Sequence, residues 1–393
     1  MGQTGLIIMK IVFDGQLFLK GNKTGIAWNA HHMIQELAKY PENECIIQCF
    51  AWNYEKGQLQ RLEGYRESGC RIECCRWFKN AWYKYLWAVF PMPYHFFFPT
   101  QADITQFFNF AVPPGVRGKR VTVIHDMAYR SCPQTVHKKT RIWLELTMKK
   151  TCRHADHILT VSRFSKREIM KYLHVPGEKI TVVPNAVDHA VYHPGYTKSR
   201  IQQVRDRFRI EKDYFLYLGT IEPRKNLERL IGAYAKLCRV MKQVPQLVLA
   251  GQKGWLCERI YEKARRLDMG NRILFTGYDS ERDSPALMCG AKVFLFPSLY
   301  EGFGMPLLEA MACGTPVIAS NTTALPEVAG GAGILVDPKS ETQICKAMQR
   351  MLMDDECRRE CRRCGLERAA AYTWAGSAEK VMDVYRRLHH GSV

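Results

Sequence analysis

Two glutamates, Glu301 and Glu309, stand eight residues apart in "PSLYEGFGMPLLEAMACGTPVIAS", residues 297–320. "KVFLFPS" reads as a buried strand and "LYEGFG" as the loop after it. Pro306 suits the first turn of a helix through "MPLLEAMAC". Glu301 then lies at the strand's end and Glu309 about one turn into the helix. The helix N-terminus presents the N–H groups of Phe303, Gly304 and Met305, and its dipole favours an anion there. The glycines let an anion approach the backbone closely. A diphosphate suits that place. Carboxylates repel a phosphate, so the two glutamates should face neutral hydroxyls, and a carboxylate accepts two hydrogen bonds from a vicinal diol. The composite ligand is sugar, diphosphate and ribose: a nucleotide sugar. The plainer alternative makes Glu301 a surface loop residue and Glu309 a helix cap or ion-pair partner.

Arg224 and Lys225 pose a second question. They open the helical stretch "NLERLIGAYAKLCRVM", where cations oppose the helix dipole. A bound anion removes the conflict; a solvated basic helix start is the alternative. His125 and Asp126 follow the apolar run "RVTVI". There a histidine is either a ligand-facing group or a core residue bonded to backbone.

The elements that position these residues form two series. The first has strand-like runs "LIIMKIVF", "CIIQCFAW", "RIECC", "ADITQFF", "RVTVIHD", "HILTVS" and "KITVVPN". Amphipathic stretches such as "GIAWNAHHMIQELAKY" and "RFSKREIMKYL" separate several of them. A polar connector with a short helix follows. The second series is "YFLYLGT", "QLVLAG", "RILFTGY", "VFLFPS", "PVIAS" and "GILVD". Such alternation predicts two doubly wound parallel α/β domains. The boundary falls near residues 190–212, which gives domains 1–195 and 196–375 with a terminal helix 376–393 returning to the first. Ligands of such sheets bind at the carboxyl ends of strands. The candidates there are Asp14 with the "GNKTG" loop, Asn109, His125, Asp126, Ser162, Asn185, Thr220 through Asn226, Gly251, Tyr278, Ser298 through Gly304, and Ser320. No G-x-G-x-x-G follows the first strand, so a nicotinamide dehydrogenase is not expected.

The chain has 393 residues, 57 Lys and Arg against 38 Asp and Glu, and a formal charge of +19. That excess points to an anionic partner: a phosphorylated small molecule, an acidic membrane or nucleic acid. No signal peptide or membrane-spanning run is expected. Fifteen scattered cysteines fit reduced thiols in a cytosol. Cys357, Cys361 and Cys364 fall on one face of a predicted helix, and metal binding there is not expected.

Taken together, "PSLYEGFGMPLLEAMACGTPVIAS", "YLGTIEPRKNLERLIGAY", "VTVIHDMAY", "ILTVSRFSKREI", "VVPNAVD", "AGILVDP" and "YTWAGSAEKVMDVYRRL" closely resemble the ordered signatures of family 4 glycosyltransferases. These are retaining enzymes of the GT-B fold, with two Rossmann-like domains facing across a cleft. The resemblance spans nearly the whole chain and is nearest the bacterial mannosyltransferase-like branch that builds surface polysaccharides. It implies that Glu309 binds the donor ribose and Glu301 the donor sugar near the reaction centre. Backbone N–H groups of Phe303, Gly304 and Met305 would hold sugar and phosphate, and Lys225 with Arg224 would neutralise the diphosphate. Tyr278 would frame the base, Gly25 bring the first domain's backbone to the phosphate, and His125 touch the donor sugar. Ser298 joins the donor set, and Asp126, Asn109 and Ser162 join His125 along the acceptor cleft. Many relatives carry arginine where this chain has Thr220, which shifts anion binding onto Lys225 and Arg224.

The implied reaction moves a hexose, best mannose from GDP-mannose, to a hydroxyl of a growing glycan or polyprenyl-diphosphate-linked acceptor. A UDP- or dTDP-sugar is the alternative donor. No metal and no cofactor beyond the nucleotide-sugar substrate are expected. A sugar-nucleotide isomerase of similar build is one rival. A nucleic-acid-binding protein is another, but its only candidate element, "RWFKNAWYKYLW", precedes the cleft motifs. That aromatic and basic segment suits a membrane interface equally, or the packing of a helix onto the first sheet. The expected location is therefore cytoplasmic, with the first domain resting on the inner face of the cell membrane.

Overall fold

The computed structural model describes residues 8–19, 25–52, 54, 56–80, 82–83, 92–277 and 282–391. The chain divides into two units. The first comprises Met1–Met127, Lys138–Asn185 and Trp374–Val393; the second comprises Ala128–His137 and Ala186–Thr373.

The first unit carries β1 (Met9–Asp14), β2 (Asn43–Phe50), β3 (Arg71–Cys75), β4 (Ile104–Phe107), β5 (Lys119–Val123), β6 (His157–Thr160) and β7 (Ile180–Val182). They form one sheet in the order β3-β2-β1-β4-β5-β6-β7, with every paired neighbour parallel. The second unit carries β8 (Tyr214–Leu218), β9 (Gln246–Ala250), β10 (Ile273–Gly277), β11 (Val293–Phe296), β12 (Val317–Ser320) and β13 (Ile334–Val336). Its sheet runs β10-β9-β8-β11-β12-β13, again parallel. Two doubly wound Rossmann-like sheets are thus present, as the alternation of apolar runs and amphipathic stretches predicts. The second unit's central strands, β8 (YFLYL) and β11 (VFLF), are apolar without interruption, as strands covered on both faces are; in the first unit buried Thr105 and Gln106 interrupt β4. Tyr214, Phe215, Leu216 and Tyr217 of β8 are all fully buried.

In each sheet the strand order reverses once, between β1 and β4 and between β8 and β11. Loops leaving the carboxyl ends of strands at such a reversal diverge and leave a crevice. In the second unit these loops begin at Gly219 and Pro297, and they contain the residues singled out above.

Among the described residues, four helices begin at a short polar side chain that caps them: Ser162, Thr197, Ser340 and Asp354. Ser162 Oγ accepts the Ser165 N–H at 3.0 Å to open Arg163–Leu173, and Asp354 caps Asp355–Ala370; each cap is worth about 1 kcal/mol. The first unit is closed by the terminal helix Trp374–His389, which packs on Gly25–Leu37. Ser377 Oγ donates to the Pro184 carbonyl at 2.7 Å. Asn29 Nδ2 donates to Asn185 Oδ1 at 2.7 Å, which holds the chain to this unit up to the residue where the second begins.

Candidate functional site

The second unit's site is assembled from the two loops at the β8/β11 reversal. After β8, a short turn at Pro223–Lys225 leads into the helix Leu227–Val240 through Asn226. Asn226 has φ 61°, a conformation that asparagine tolerates better than most residues. Its buried amide donates to the carbonyls of Pro297 at 2.9 Å and Pro338 at 2.6 Å. The Leu299 N–H donates to the Arg224 carbonyl at 2.8 Å. The first loop is therefore fastened to the second by buried hydrogen bonds.

These fastenings set four charges in contact. Lys225 Nζ lies 2.6 Å from Glu301 Oε1, and Arg224 Nη1 lies 2.9 Å from Glu301 Oε2. The rest of the guanidinium binds Glu222, with Nε and Nη2 donating to Oε1 at 3.1 and 2.8 Å. Arg224 Nη1 also donates to the Tyr300 carbonyl at 2.9 Å. Lys225 Nζ stands 5.1 Å from the centre of the Phe296 ring, an added cation–π attraction. Glu301 is held from behind: its N–H donates to Thr323 Oγ1 at 3.2 Å, and its carbonyl accepts the Ala324 N–H at 3.4 Å.

Glu301 is buried, not a surface loop residue. Burial raises its carboxyl pKa, but the charges of Arg224 and Lys225 outweigh that and hold it at about 2. Burial and the neighbouring Arg224 pull the Lys225 ammonium down while Glu301 opposes them. The ionised Glu301 carboxylate beside it favours the charged form of Lys225. The anion that two cations at a helix start require is thus supplied within the chain by Glu301 and Glu222. Lys225 is buried, so the solvated-face alternative fails.

Beyond Glu301, Gly304 adopts φ 103° and precedes the helix Met305–Ala312. An added Cβ on Gly304 would come 2.6 Å from Leu325 Cδ2, so a side chain there would have to displace Leu325 and hold a strained backbone conformation. Its carbonyl accepts the Leu307 N–H at 3.0 Å. Among the described residues, no hydrogen bond takes the N–H of Phe303, Gly304 or Met305. Three donors thus stand at the positive end of a helix, beside the ion cluster. Glu309 is half-buried, one turn into that helix. Ser298 is fully buried, and its carbonyl accepts from Ser320 Oγ at 2.6 Å. Thr220 is half-buried, and its carbonyl accepts from the Tyr217 hydroxyl at 2.9 Å. Tyr278 lies outside the described residues.

In the first unit, Asn109, His125 and Ser162 follow β4, β5 and β6 at the carboxyl edge of the sheet. His125 is buried, and its Nε2 lies 2.8 Å from the Phe108 carbonyl. A carbonyl accepts only, so Nε2 carries the proton and Nδ1 holds a lone pair in the neutral ring. Burial lowers the imidazole pKa, which keeps that ring neutral. Asp126 and Asn109 are half-buried, and the Ser162 hydroxyl serves as the helix cap. Gly25 is exposed at the first residue of its helix, and an added Cβ there would meet nothing within 4 Å.

Sequence reasoning passed over Phe296 and Thr323, and it placed Glu222 and Asn226 in the run Thr220 through Asn226 without giving either a role. The signal for Glu222 was present: it sits two residues before an arginine whose charge needed a partner.

Comparison with known proteins follows the same lines. The family described as glycosyl transferases group 1 matches residues 200–368, and the one described as glycosyltransferase family 4 matches residues 24–191. The chain is 34% identical over 283 residues to O-antigen chain mannosyltransferase B of Escherichia coli, covering 71% of this chain and 73% of that one. It is 34% identical over 242 residues to the serotype-specific mannosyltransferase WbdA of Escherichia coli, but spans only 29% of that protein's length. A GDP-mannose-dependent phosphatidylinositol dimannoside mannosyltransferase of Mycobacterium tuberculosis is 29% identical over 67% of this chain and 66% of its own. Among solved structures, sucrose-phosphate synthase of Thermosynechococcus elongatus matches 98% of this chain and 100% of its own, with a TM-score of 0.73 and 19% identity. The lipopolysaccharide glycosyltransferase WaaG matches 95% of this chain and 99% of its own, with a TM-score of 0.68 and 16% identity.

Proposed function

Since the chain belongs to the family 4 glycosyltransferases, we propose that it transfers mannose from GDP-mannose, with retained configuration and without a metal, to a hydroxyl of a growing surface glycan. The carrying observation is the Arg224–Lys225–Glu301 cluster beside the donor N–H groups of Phe303, Gly304 and Met305. Mannose is supported by three relatives that are mannosyltransferases, and its GDP form by the one from Mycobacterium tuberculosis, which is named as GDP-mannose-dependent.

In this reading the donor diphosphate takes Lys225 and Arg224 from Glu301. The released carboxylate then accepts hydrogen bonds from the sugar hydroxyls, while Glu309 meets the ribose. The bond from the anomeric carbon to the diphosphate breaks, and its electron pair leaves on the phosphate oxygen. The acceptor oxygen bonds to that carbon from the same face, and its proton passes to the departing phosphate. Lys225, Arg224 and the helix N–H groups stabilise the developing charge. The acceptor is a glycan carried on a lipid diphosphate at the inner face of the cell membrane. Trp77, Trp82 and Phe96 support that clause, being 52%, 60% and 65% exposed. No helix among the described residues is long and apolar enough to cross a membrane.

The test is a thermal-shift panel of GDP-mannose, UDP-glucose, UDP-N-acetylglucosamine and dTDP-rhamnose. GDP-mannose should give the largest stabilisation, and its mannose should appear on an added acceptor. A larger shift with a UDP- or dTDP-sugar overturns the donor. Conversion of GDP-mannose to another sugar nucleotide without an acceptor favours an isomerase.

A further inference from the structure

The helix Lys138–His154 buries Leu144, Thr147, Met148, Thr151 and Cys152, the stripe expected of a helix packed on a sheet. Its opposite face should be polar. Instead Ile142 and Leu146, one turn apart, are 47% and 66% exposed. Lys138, Lys149 and Arg153 are exposed on the same side. By helix geometry Lys138 and Lys149 flank the two apolar side chains on one side, and the exposed Lys139 and Lys150 flank them on the other. Glu145 is the one acidic residue of the helix. The next helix, Arg163–Leu173, packs against it and adds exposed Arg163, Arg167 and Lys171, with Met170 39% exposed.

Three occupants suit this face unequally. Nucleic acid would use the cations but gain nothing from an isoleucine and a leucine at their centre. A second copy would set one lysine-rich face against another, which like-charge repulsion opposes. An anionic bilayer uses both features. The apolar pair enters the boundary between headgroups and acyl chains, and the lysine stems lie along it with their ammonium groups on phosphates.

We infer that the outward face of the helix Lys138–His154 docks this protein onto an anionic phospholipid surface, with Ile142 and Leu146 inserted and Lys138, Lys149 and Arg153 on the headgroups. This deepens the membrane clause of the proposed function and rests on it, but not on the donor assignment.

The test is flotation of the full chain with vesicles of phosphatidylglycerol and phosphatidylcholine, against phosphatidylcholine alone, at low and high salt. The parent should float with the anionic vesicles, and less so as salt rises. Ile142→Ser with Leu146→Ser should weaken partitioning about tenfold or more at unchanged charge. Lys138→Gln, Lys149→Gln and Arg153→Gln should each cost about fivefold and reduce the salt dependence. Thermal melting and turnover on a soluble acceptor should match the parent in all of these, since none of the residues belongs to the site. Undiminished flotation of the double serine variant overturns the helix assignment. Equal flotation of the parent with both vesicles overturns anionic docking itself. A changed oligomeric state in the double variant, with flotation intact, assigns the face to a second copy instead. Failure of the donor reading would appear separately, as no turnover of GDP-mannose by the parent.

Discussion

Lys225 Nζ meets Glu301 Oε1 at 2.6 Å, with the two side chains 10% and 8% exposed. The contact neutralises, before any ligand arrives, a cation that the proposed reaction needs for a diphosphate. The ligand must therefore compete with a carboxylate, and success frees that carboxylate. Donor capture and the unmasking of Glu301 become one event.

Glu301→Gln separates the two roles. It leaves Lys225 and Arg224 without their competitor, so GDP should bind at least as tightly as to the parent in calorimetry. Turnover should fall about a hundredfold or more, because the charged partner of the sugar hydroxyls is gone. Glu309→Ala should behave oppositely. It weakens GDP binding by about 1.5–3 kcal/mol, the worth of a charged hydrogen bond, and acts less on turnover at saturation. Weaker GDP binding in Glu301→Gln with intact turnover would reverse the assignment of the two glutamates.

Acid should weaken the two units in different windows. In the first unit, burial and the charges of Arg387, Lys166 and Lys179 hold His157 down from 6.5 to about 4. Its contribution to stability is full above pH 6.5 and is lost as pH falls towards 4. In the second unit, Glu301 is lowered from 4.5 to about 2. Its contribution is full above pH 4.5 and is lost as pH falls towards 2. Each shift corresponds to about 3 kcal/mol. Hydrogen exchange, corrected for its intrinsic pH dependence, should show β6 and β7 losing protection before β8 and β11. His157→Gln should flatten the first loss and leave the second. Simultaneous loss in both units would contradict this division.

The sheets were legible because parallel strands covered on both faces are continuous apolar runs, and "YFLYL" or "VFLF" admits no other reading once glycine or proline ends it. The loops of the site were legible because ligands of parallel sheets bind at strand carboxyl ends, and "GTIEPRKN" and "PSLYEGFG" follow two such strands; that the order reverses between those strands came only with the structure. The ion cluster was not. Glu222 and Glu301 are 79 positions apart in the chain, and their meeting at one guanidinium depends on β8 lying beside β11. The passage of residues 128–137 to the second unit also left no trace in composition.

Activity should survive excess EDTA. In the proposed reaction the charge on the departing diphosphate is met by Lys225, Arg224 and the N–H groups at the start of the helix Met305–Ala312, with no added cation. Turnover measured after dialysis against the chelator should match the untreated protein. Complete loss restored by magnesium or manganese would transfer the diphosphate to a metal and leave Lys225 a structural partner of Glu301.

Asn226 tests whether the fastening between the loops matters for the reaction or only for folding. Its side chain spans from the turn carrying Arg224 and Lys225 to the carbonyls of Pro297 and Pro338, and its backbone is left-handed at φ 61°. Asn226→Gly keeps the backbone conformation at little steric cost but leaves two buried carbonyls without their donor, which costs about 1–3 kcal/mol. Asn226→Ala loses the same hydrogen bonds and adds the strain of a Cβ in the left-handed region, about 1 kcal/mol more. Melting temperatures should therefore fall in the order parent, glycine, alanine. Affinity for GDP should fall in both variants by a similar factor, because both release the turn from the strand β11 and let Lys225 drift from the helix N-terminus. At temperatures well below melting, equal stability losses introduced elsewhere in the second unit should leave GDP binding unchanged. If both Asn226 variants bind GDP as the parent does, the fastening serves the fold alone, and Lys225 is positioned by Glu301 and Phe296 without help from the turn.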